Sequence, residues 1–281
     1  MPWSHLGLAC FLLVGLIPIL ISLVYALLYS LGLVGLLAEG FTLDHWGRVL
    51  GRGEIWASLG VSAAVAGATV AATVGLALML ALTLRRHLGK EPLSTIIFLP
   101  LALPAVVTAF FVFRVFSDAG LLARMAMGLG LIEAPNQFPA MVHDPLAMGV
   151  ILAHLLFAVP YFTLLFGQIY KDAHVARLEN LAQTLGGNRL QCLARVTLPI
   201  LIDKAGTQLL LLFITVFGSY EIPLLLGRQS PQMISVLTLR KYQMFDILQK
   251  PEAFIAALLY TLFVTGLLWL AFRRGRMFRD V

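Results

Sequence analysis

The chain has 281 residues, 60% of them hydrophobic and only 12% charged, with a mean hydropathy of +0.91. A soluble domain carries roughly 25% charged residues, so this composition excludes an ordinary soluble enzyme and leaves no stretch for a separate soluble domain. The formal net charge of +6 and pI near 9.6 would suit nucleic acid, but no basic face on a soluble element is visible, and such a face is what a nucleic-acid footprint needs.

The first apolar run, Leu6 to Ala38, holds no charged residue over 33 positions. That is too long for a signal-peptide core and predicts a transmembrane helix over 6–38, with a kink at Pro18. A polar stretch follows, carrying Asp44, Arg48 and Arg52, with Trp46 and Trp56 suited to a membrane interface. A second span is predicted over 55–84. It is rich in alanine, glycine and serine, which let helices approach closely in lipid. A basic turn at Arg85, Arg86, His87 and Lys90 precedes a third span over 93–116, interrupted by Pro100 and Pro104. Arg114 and Asp118, four apart, are expected to pair. Within 118–145 the DAGLLARMAMGLGLI segment predicts a short amphipathic helix along the membrane surface. A fourth span is predicted over 145–170, with Pro160 inside.

Residues 171–204 are unlike the rest. Leu178 to Leu201 reads LENLAQTLGGNRLQCLARVTLPIL, with Glu179, Asn180, Gln183, Asn188, Arg189, Gln191 and Arg195 in it. Apolar residues at 175, 178, 181, 182 and 185 have helical spacing. Gly186-Gly187 is expected to stop that helix in a left-handed turn. Asn188 is a good N-cap for a second helix from Arg189 to Val196, which Leu198-Pro199 is expected to end. A fifth span over 205–226 contains Ser219-Tyr220-Glu221, and a sixth is predicted over 253–272 before a basic tail. The fold class is thus all-α, a polytopic bundle of six transmembrane helices. Cys10 lies in a span and Cys192 in the polar loop, so no structural disulfide is expected.

The LGG–RVTLP spacing resembles the EAA loop of binding-protein-dependent ABC importer permeases. In that family a glycine is followed after nine residues by a hydrophobic residue and then by Leu-Pro. Gly186, Val196 and Leu198-Pro199 match. Asn180-Leu181-Ala182 stands where the family has Glu-Ala-Ala, and Glu179 is one place early. The segment around 224–242 resembles the polyamine, ferric-iron, thiamine and sulfate branch. The resemblance implies a single permease domain whose 171–204 loop is a cytoplasmic coupling helix. Glu179, Asn180, Ala182, Leu185, Gly186, Gly187, Arg189, Arg195, Leu198 and Pro199 would then dock an ATPase. It further implies two cytoplasmic ABC ATPase subunits, a second permease, identical or homologous, and a periplasmic or lipid-anchored solute-binding protein. The solute expected from the resemblance is a polyamine or ferric iron. A plain amphipathic connector is the alternative reading of the loop, and a self-contained secondary transporter or channel is the alternative for the chain.

Placing the 85–90 turn with the adjoining Glu91, the 171–204 loop and the tail on one side puts 12 of the 20 lysines and arginines there, but only five of the 14 acids. An excess of Lys and Arg marks the inner side. Both termini and the loop are therefore expected in the cytoplasm of a bacterial inner membrane.

No GxxxxGK[ST], HExxH or GxSxG motif occurs, nor a metal-ligand spacing of Cys and His. The chain is expected to have no enzymatic activity, cofactor or metal of its own, with ATP and magnesium bound by a partner. Candidate translocation-pathway residues are His154, Ser219, Tyr220 and Glu221. His154 also reads as a hydrogen-bonded bundle histidine. Glu221 lies 16 residues after Ala205, about 24 Å along a continuous helix, where an ionisable group needs a cavity or a partner. Arg114 and Arg228 are the arginines it could pair with if its role is structural.

Overall fold

The computed structural model describes residues 10–35, 40–84 and 99–273, together with Gly7 and Ala38. The basic turn 85–90, the start of the third span at 93–98 and the tail from 274 lie outside these. All regular structure among the described residues is helical, as the composition predicts. The elements are α1 (Leu12–Ser30), α2 (Asp44–Gly51), α3 (Gly53–Leu84), α4 (Ala105–Phe116), α5 (Leu121–Gly128), α6 (Met148–Asp172), α7 (Val175–Thr184), α8 (Arg189–Lys204), α9 (Gly206–Phe217), α10 (Glu221–Leu226), α11 (Ile234–Gln243) and α12 (Gln249–Arg273). Five stretches are long and apolar enough to cross a bilayer: α1, α3, Ala105–Gly128, α6 and α12. Arg189–Lys204 with Gly206–Phe217, bent by 59°, makes up to six. At 1.5 Å per residue, the 32 residues of α3 reach about 48 Å, beyond a hydrocarbon core of about 30 Å.

Several predicted boundaries move, each for a local reason. The first helix ends at Ser30, not Ala38. Gly32 at φ +72° turns the chain, and the amides of Gly32 and Leu33 close back on the carbonyls of Tyr29 and Leu28, the Schellman pattern that stops a helix. Pro18 does not interrupt the helix; a π-helical turn at Leu12–Leu16 precedes it and takes up the register change that a missing N–H imposes. Pro104, in extended conformation, starts α4. The expected Arg114–Asp118 pair is absent among the described residues. Ser117 leaves the helix with ψ 162°, so the two side chains are not one helical turn apart. The amphipathic helix foreseen within 118–145 is α5.

The chain divides into two compact units, Met1–Gly60 with Met233–Leu267, and Val61–Gln232 with Leu268–Val281. In the first, Tyr29 of α1 packs tilted against Phe254 of α12, and Tyr25 of α1 and Tyr242 of α11 meet the same ring edge-on. Trp46 donates to Ser30 Oγ at 3.2 Å. This unit also holds a network that sequence patterning did not reveal. Lys241 Nζ lies 2.9 Å from Glu54 and 3.1 Å from Glu252, and Arg52 lies 3.1 Å from Glu252. Burial alone would lower the Lys241 pKa, but the hydrogen bonds it donates to Glu54 and Glu252 hold it above its usual 10.5.

The core of the second unit is built from Ala77, Leu78 and Ala81 of α3, Ala158, Phe162 and Phe166 of α6, and Leu201 with Ala205 at the α8–α9 bend. Small residues on α3 let the phenylalanines of α6 seat closely. Segment 141–147 is tied across to α10. His143 N–H donates to Leu226 O at 2.9 Å, and Arg228 Nη1 to Pro145 O at 3.2 Å. Asp144 caps α6 through the Met148 amide.

Candidate functional site: a helical knob and a cavity

The first candidate site is the polar loop. The chain leaves α6 through His174, at φ 49°. Fully buried Val175 roots α7, which runs to Thr184. Gly186 has φ +89°. Its amide donates to Gln183 O, and that of Gly187 to Ala182 O at 2.9 Å, so the glycine pair ends the helix as its chemistry predicts. Asn188 then caps α8. Its Oδ1 accepts from the Gln191 amide at 2.8 Å while Gln191 Oε1 accepts from the Asn188 amide at 3.0 Å, a closed capping box.

The end expected at Leu198-Pro199 does not occur. A π turn over Leu193–Thr197 carries the helix past Pro199, which sits in the first turn of the continuation to Lys204. Pro199 cannot donate to the carbonyl four residues back, and the wider turn absorbs that missing bond.

Glu179 holds the knob from behind. Its carboxylate accepts from Tyr170 Oη at 2.8 Å and from Thr197 Oγ1 at 2.6 Å. Its carbonyl faces the buried Cys192 Sγ at 3.9 Å. One side chain thus ties together the end of α6, α7 and the π turn of α8. Asn180, at the family's usual Glu position, lies on the exposed side. No signal in the sequence marks Tyr170 or Thr197, because the contacts close over nine and 18 residues. We expect Glu179→Ala to leave two hydroxyls without their acceptor, at a cost of about 1–3 kcal/mol. Limited proteolysis of solubilised chain should then cut faster between residues 185 and 190, and an unchanged rate would refute the strut.

The outer face of the knob is apolar. Leu181 is 60% exposed, Leu190 76% and Leu185 83%, with Arg189 and Arg195 exposed nearby. Exposed apolar clusters rimmed by polar groups mark surfaces of contact with another protein or with a membrane.

The second candidate site is a cavity of about 710 Å³ within the second unit. It is lined by all four candidate pathway residues, His154, Ser219, Tyr220 and Glu221, together with Gln208 and Thr215. A correction applies to Glu221. The fifth span over 205–226 is not one helix; it breaks at Gly218–Tyr220 between α9 and α10. The signal was present in Pro223. A continuous helix would need its N–H to reach Ser219 O, and its ring would strike that carbonyl. The depth reckoned along an unbroken helix therefore does not hold. Glu221 is instead the first residue of α10, exposed, at a broken helix that lines a cavity, the setting in which irregular backbone is tolerated at membrane depth.

Neither arginine considered as its structural partner forms an ion pair with Glu221 among the described residues. Arg228 donates instead to Pro231 O and Pro145 O. His154 Nδ1 lies 2.8 Å from Val150 O; a carbonyl only accepts, so Nδ1 carries the proton in this bond. No group of three or more His, Cys, Asp or Glu fit for a metal exists among the described residues.

A family model described as binding-protein-dependent transport system inner membrane component matches residues 73–274. The chain belongs to this family. The match contains both the knob and the cavity lining. A probable sulfate transport system permease protein cysT of Anthoceros angustus is 29% identical over 161 residues, 56% of this chain and 52% of that protein. The chain thus spans about half the length of the curated relative it matches. Two solved structures share the fold, each with a TM-score of 0.74. One is a bacterial alginate ABC transporter in complex with an alginate pentasaccharide-bound periplasmic protein, at 18% identity over 97% of this chain and 92% of that one. The other is a bacterial ABC transporter involved in import of the acidic polysaccharide alginate, at 16% identity over 99% and 95%. The all-helical, membrane-embedded permease architecture expected from the sequence agrees with these comparisons.

Proposed function

We propose that this chain is the membrane subunit of an ATP-driven, binding-protein-dependent importer, in which the cavity is part of the solute pathway and the 178–201 knob transmits the ATPase cycle to it. The observation that carries the reading is the knob itself. Three exposed leucines stand on a helix–glycine–helix element held by Glu179, and the same polypeptide, through α8 and its bend, continues into α9, whose far end breaks at the cavity. Movement of a docked ATPase would reach the pathway through a chain of helices, not through a loose linker.

On this reading the partners are two cytoplasmic ABC ATPase subunits, which bind ATP and magnesium, and a second permease, identical or homologous. A solute-binding protein on the opposite side delivers the solute, and nucleic acid has no part. The chain itself performs no chemistry. The names of these relatives mention sulfate and alginate, and neither polyamine nor ferric iron, so the polyamine or ferric iron expected from the resemblance draws no support from them.

Two experiments test this. Proteoliposomes holding the chain with a co-expressed ATPase and binding protein should take up solute only with ATP. Uptake by the chain alone under an ion gradient would instead favour a self-contained secondary transporter. For orientation, reporter fusions at Arg48, Asn136 and Gln232 should read outside, and fusions at Lys90 and Val281 inside; a cytoplasmic reading at Asn136 would overturn the charge-based topology.

A further inference from the structure

We infer that a smaller cavity, at the ends of the α1 and α12 spans, holds the phosphate of an anionic phospholipid headgroup. This cavity has a volume of about 200 Å³ and is lined by Tyr25, Tyr29, Gly35, Tyr242, Lys250 and Phe254, all of them in the first compact unit. Phe254 is at its centre. The ring centroids of Tyr25, Tyr29 and Tyr242 lie 5.9, 4.6 and 5.8 Å from that of Phe254. Gly35 passes directly against Tyr29, where any Cβ would strike the ring. Pockets for drug-sized molecules run from about 300 to 1,000 Å³, so this one suits a fragment the size of a headgroup.

The donors here lack acceptors. Lys250 Nζ sits 5.9 Å from the Tyr242 ring centroid. Among the described residues it has no hydrogen-bond acceptor and no carboxylate partner. The hydroxyls of Tyr25 and Tyr242 likewise have no hydrogen-bond partner among the described residues, and no Asp or Glu is among the described residues that line the cavity. Three donor groups and one positive charge thus line a space that calls for an anion with several oxygens. A choline or ethanolamine ammonium entering it would meet the like charge of Lys250, which already takes an aromatic face. Position selects a lipid over a soluble anion. Tyr29 is next to the last residue of α1 and Lys250 is the second of α12. Both helices can cross a bilayer, so the cavity lies at headgroup depth, where tyrosine and lysine gather and where basic pockets between spans bind anionic headgroups. Ile17, Ile21 and Tyr25, four residues apart on α1, are all exposed and form one apolar lane along the helix from the cavity. An acyl chain joined to the phosphate would lie along that lane, and a free phosphate ester would gain nothing from it.

The test is native mass spectrometry of the full chain in detergent, titrated with dioleoyl phosphatidylglycerol, dioleoyl phosphatidylcholine and glycerophosphoglycerol, the deacylated headgroup of the first. Phosphatidylglycerol should form a first, saturable adduct at least about tenfold tighter than either of the others. Lys250→Gln should weaken that adduct at least about tenfold, since a hydrogen bond to a charged group is lost, and Lys250→Arg, which keeps the charge, should retain it. Tyr25→Phe and Tyr242→Phe keep the rings and remove only the hydroxyls, so each should weaken it about threefold. Arg177→Gln, at an exposed arginine that does not line the cavity, should bind as the wild type, which separates the cavity from a general attraction to a basic chain. Equal affinity for phosphatidylcholine would overturn the charge preference, and equal affinity for glycerophosphoglycerol would make the ligand a soluble ester and not a lipid. Phosphatidylglycerol binding unchanged by Lys250→Gln, or weakened as much by Arg177→Gln, would overturn the site itself.

Discussion

Gly186→Asp is expected to leave the chain inserted in the membrane but to release the ATPase and abolish uptake. Gly186 holds φ +89°, a conformation that an L-residue adopts at a cost of about 1–2 kcal/mol. A side chain there would meet no neighbouring atom within 4 Å, so the fold itself has no steric reason to fail. The damage falls on the surface. The turn that sets α7 against α8 is strained, and a carboxylate is placed between Leu185 and Leu190, the two most exposed leucines of the knob. Desolvating that charge in an apolar interface is costly. Gly187→Ala makes a useful contrast. Its Cβ would lie 2.8 Å from Ala182 O and 3.5 Å from Cys192 Sγ, so it should destabilise the knob before any partner arrives. The measurement is a pull-down of the ATPase from solubilised membranes alongside uptake. Wild-type levels of both in the Gly186→Asp protein would make the loop a mere connector. Charge reversal at Arg189 or Arg195 should act more gently and in a salt-dependent way, because exposed charges are screened within roughly 10 Å.

Glu252→Gln should produce the largest loss of thermal stability of any single change considered for this chain. The Glu252 side chain is 5% exposed and that of Lys241 8% exposed. Removing the carboxylate's charge leaves the Lys241 ammonium buried with only Glu54, whose side chain is 49% exposed. Breaking a buried pair costs about 3–5 kcal/mol, and we expect the lower end because Glu54 still reaches the ammonium. The check is a thermal midpoint in detergent, and a shift no larger than that of an exposed surface substitution would refute the network's importance.

The network also predicts a pH profile. The folded-state pKa of Lys241 is raised above 10.5, so its contribution is complete below that pH and is lost only as pH rises through the folded value. The stability difference between wild type and Lys241→Met should therefore be constant from neutral pH to about pH 10 and shrink beyond it. A difference that already shrinks between pH 7 and 9 would contradict the assignment.

How much of this was legible beforehand can be judged at particular residues. Composition and long uncharged runs determined an all-helical membrane protein, because only a helix satisfies its own backbone in lipid. Local chemistry determined the knob's outline. Gly186 carries the left-handed turn and Asn188 the cap, and both act within four residues of themselves. The failures share a cause. Pro199 reads as a helix end, yet a π turn carries the helix past it, and Pro223 breaks a span that reads as continuous, because whether a missing N–H breaks a helix depends on what can rearrange next to it. What the tertiary structure alone decided lies at long separation. Glu179 reaches Thr197 across 18 residues, and Arg52 reaches Glu252 across 200. His154, Gln208 and Glu221 come to line one cavity only because α6, α9 and α10 pack around it. Hydrophobic periodicity selects the face a helix buries but not the partner that face meets, so the strut, the ion network and the cavity emerge only from the packed structure.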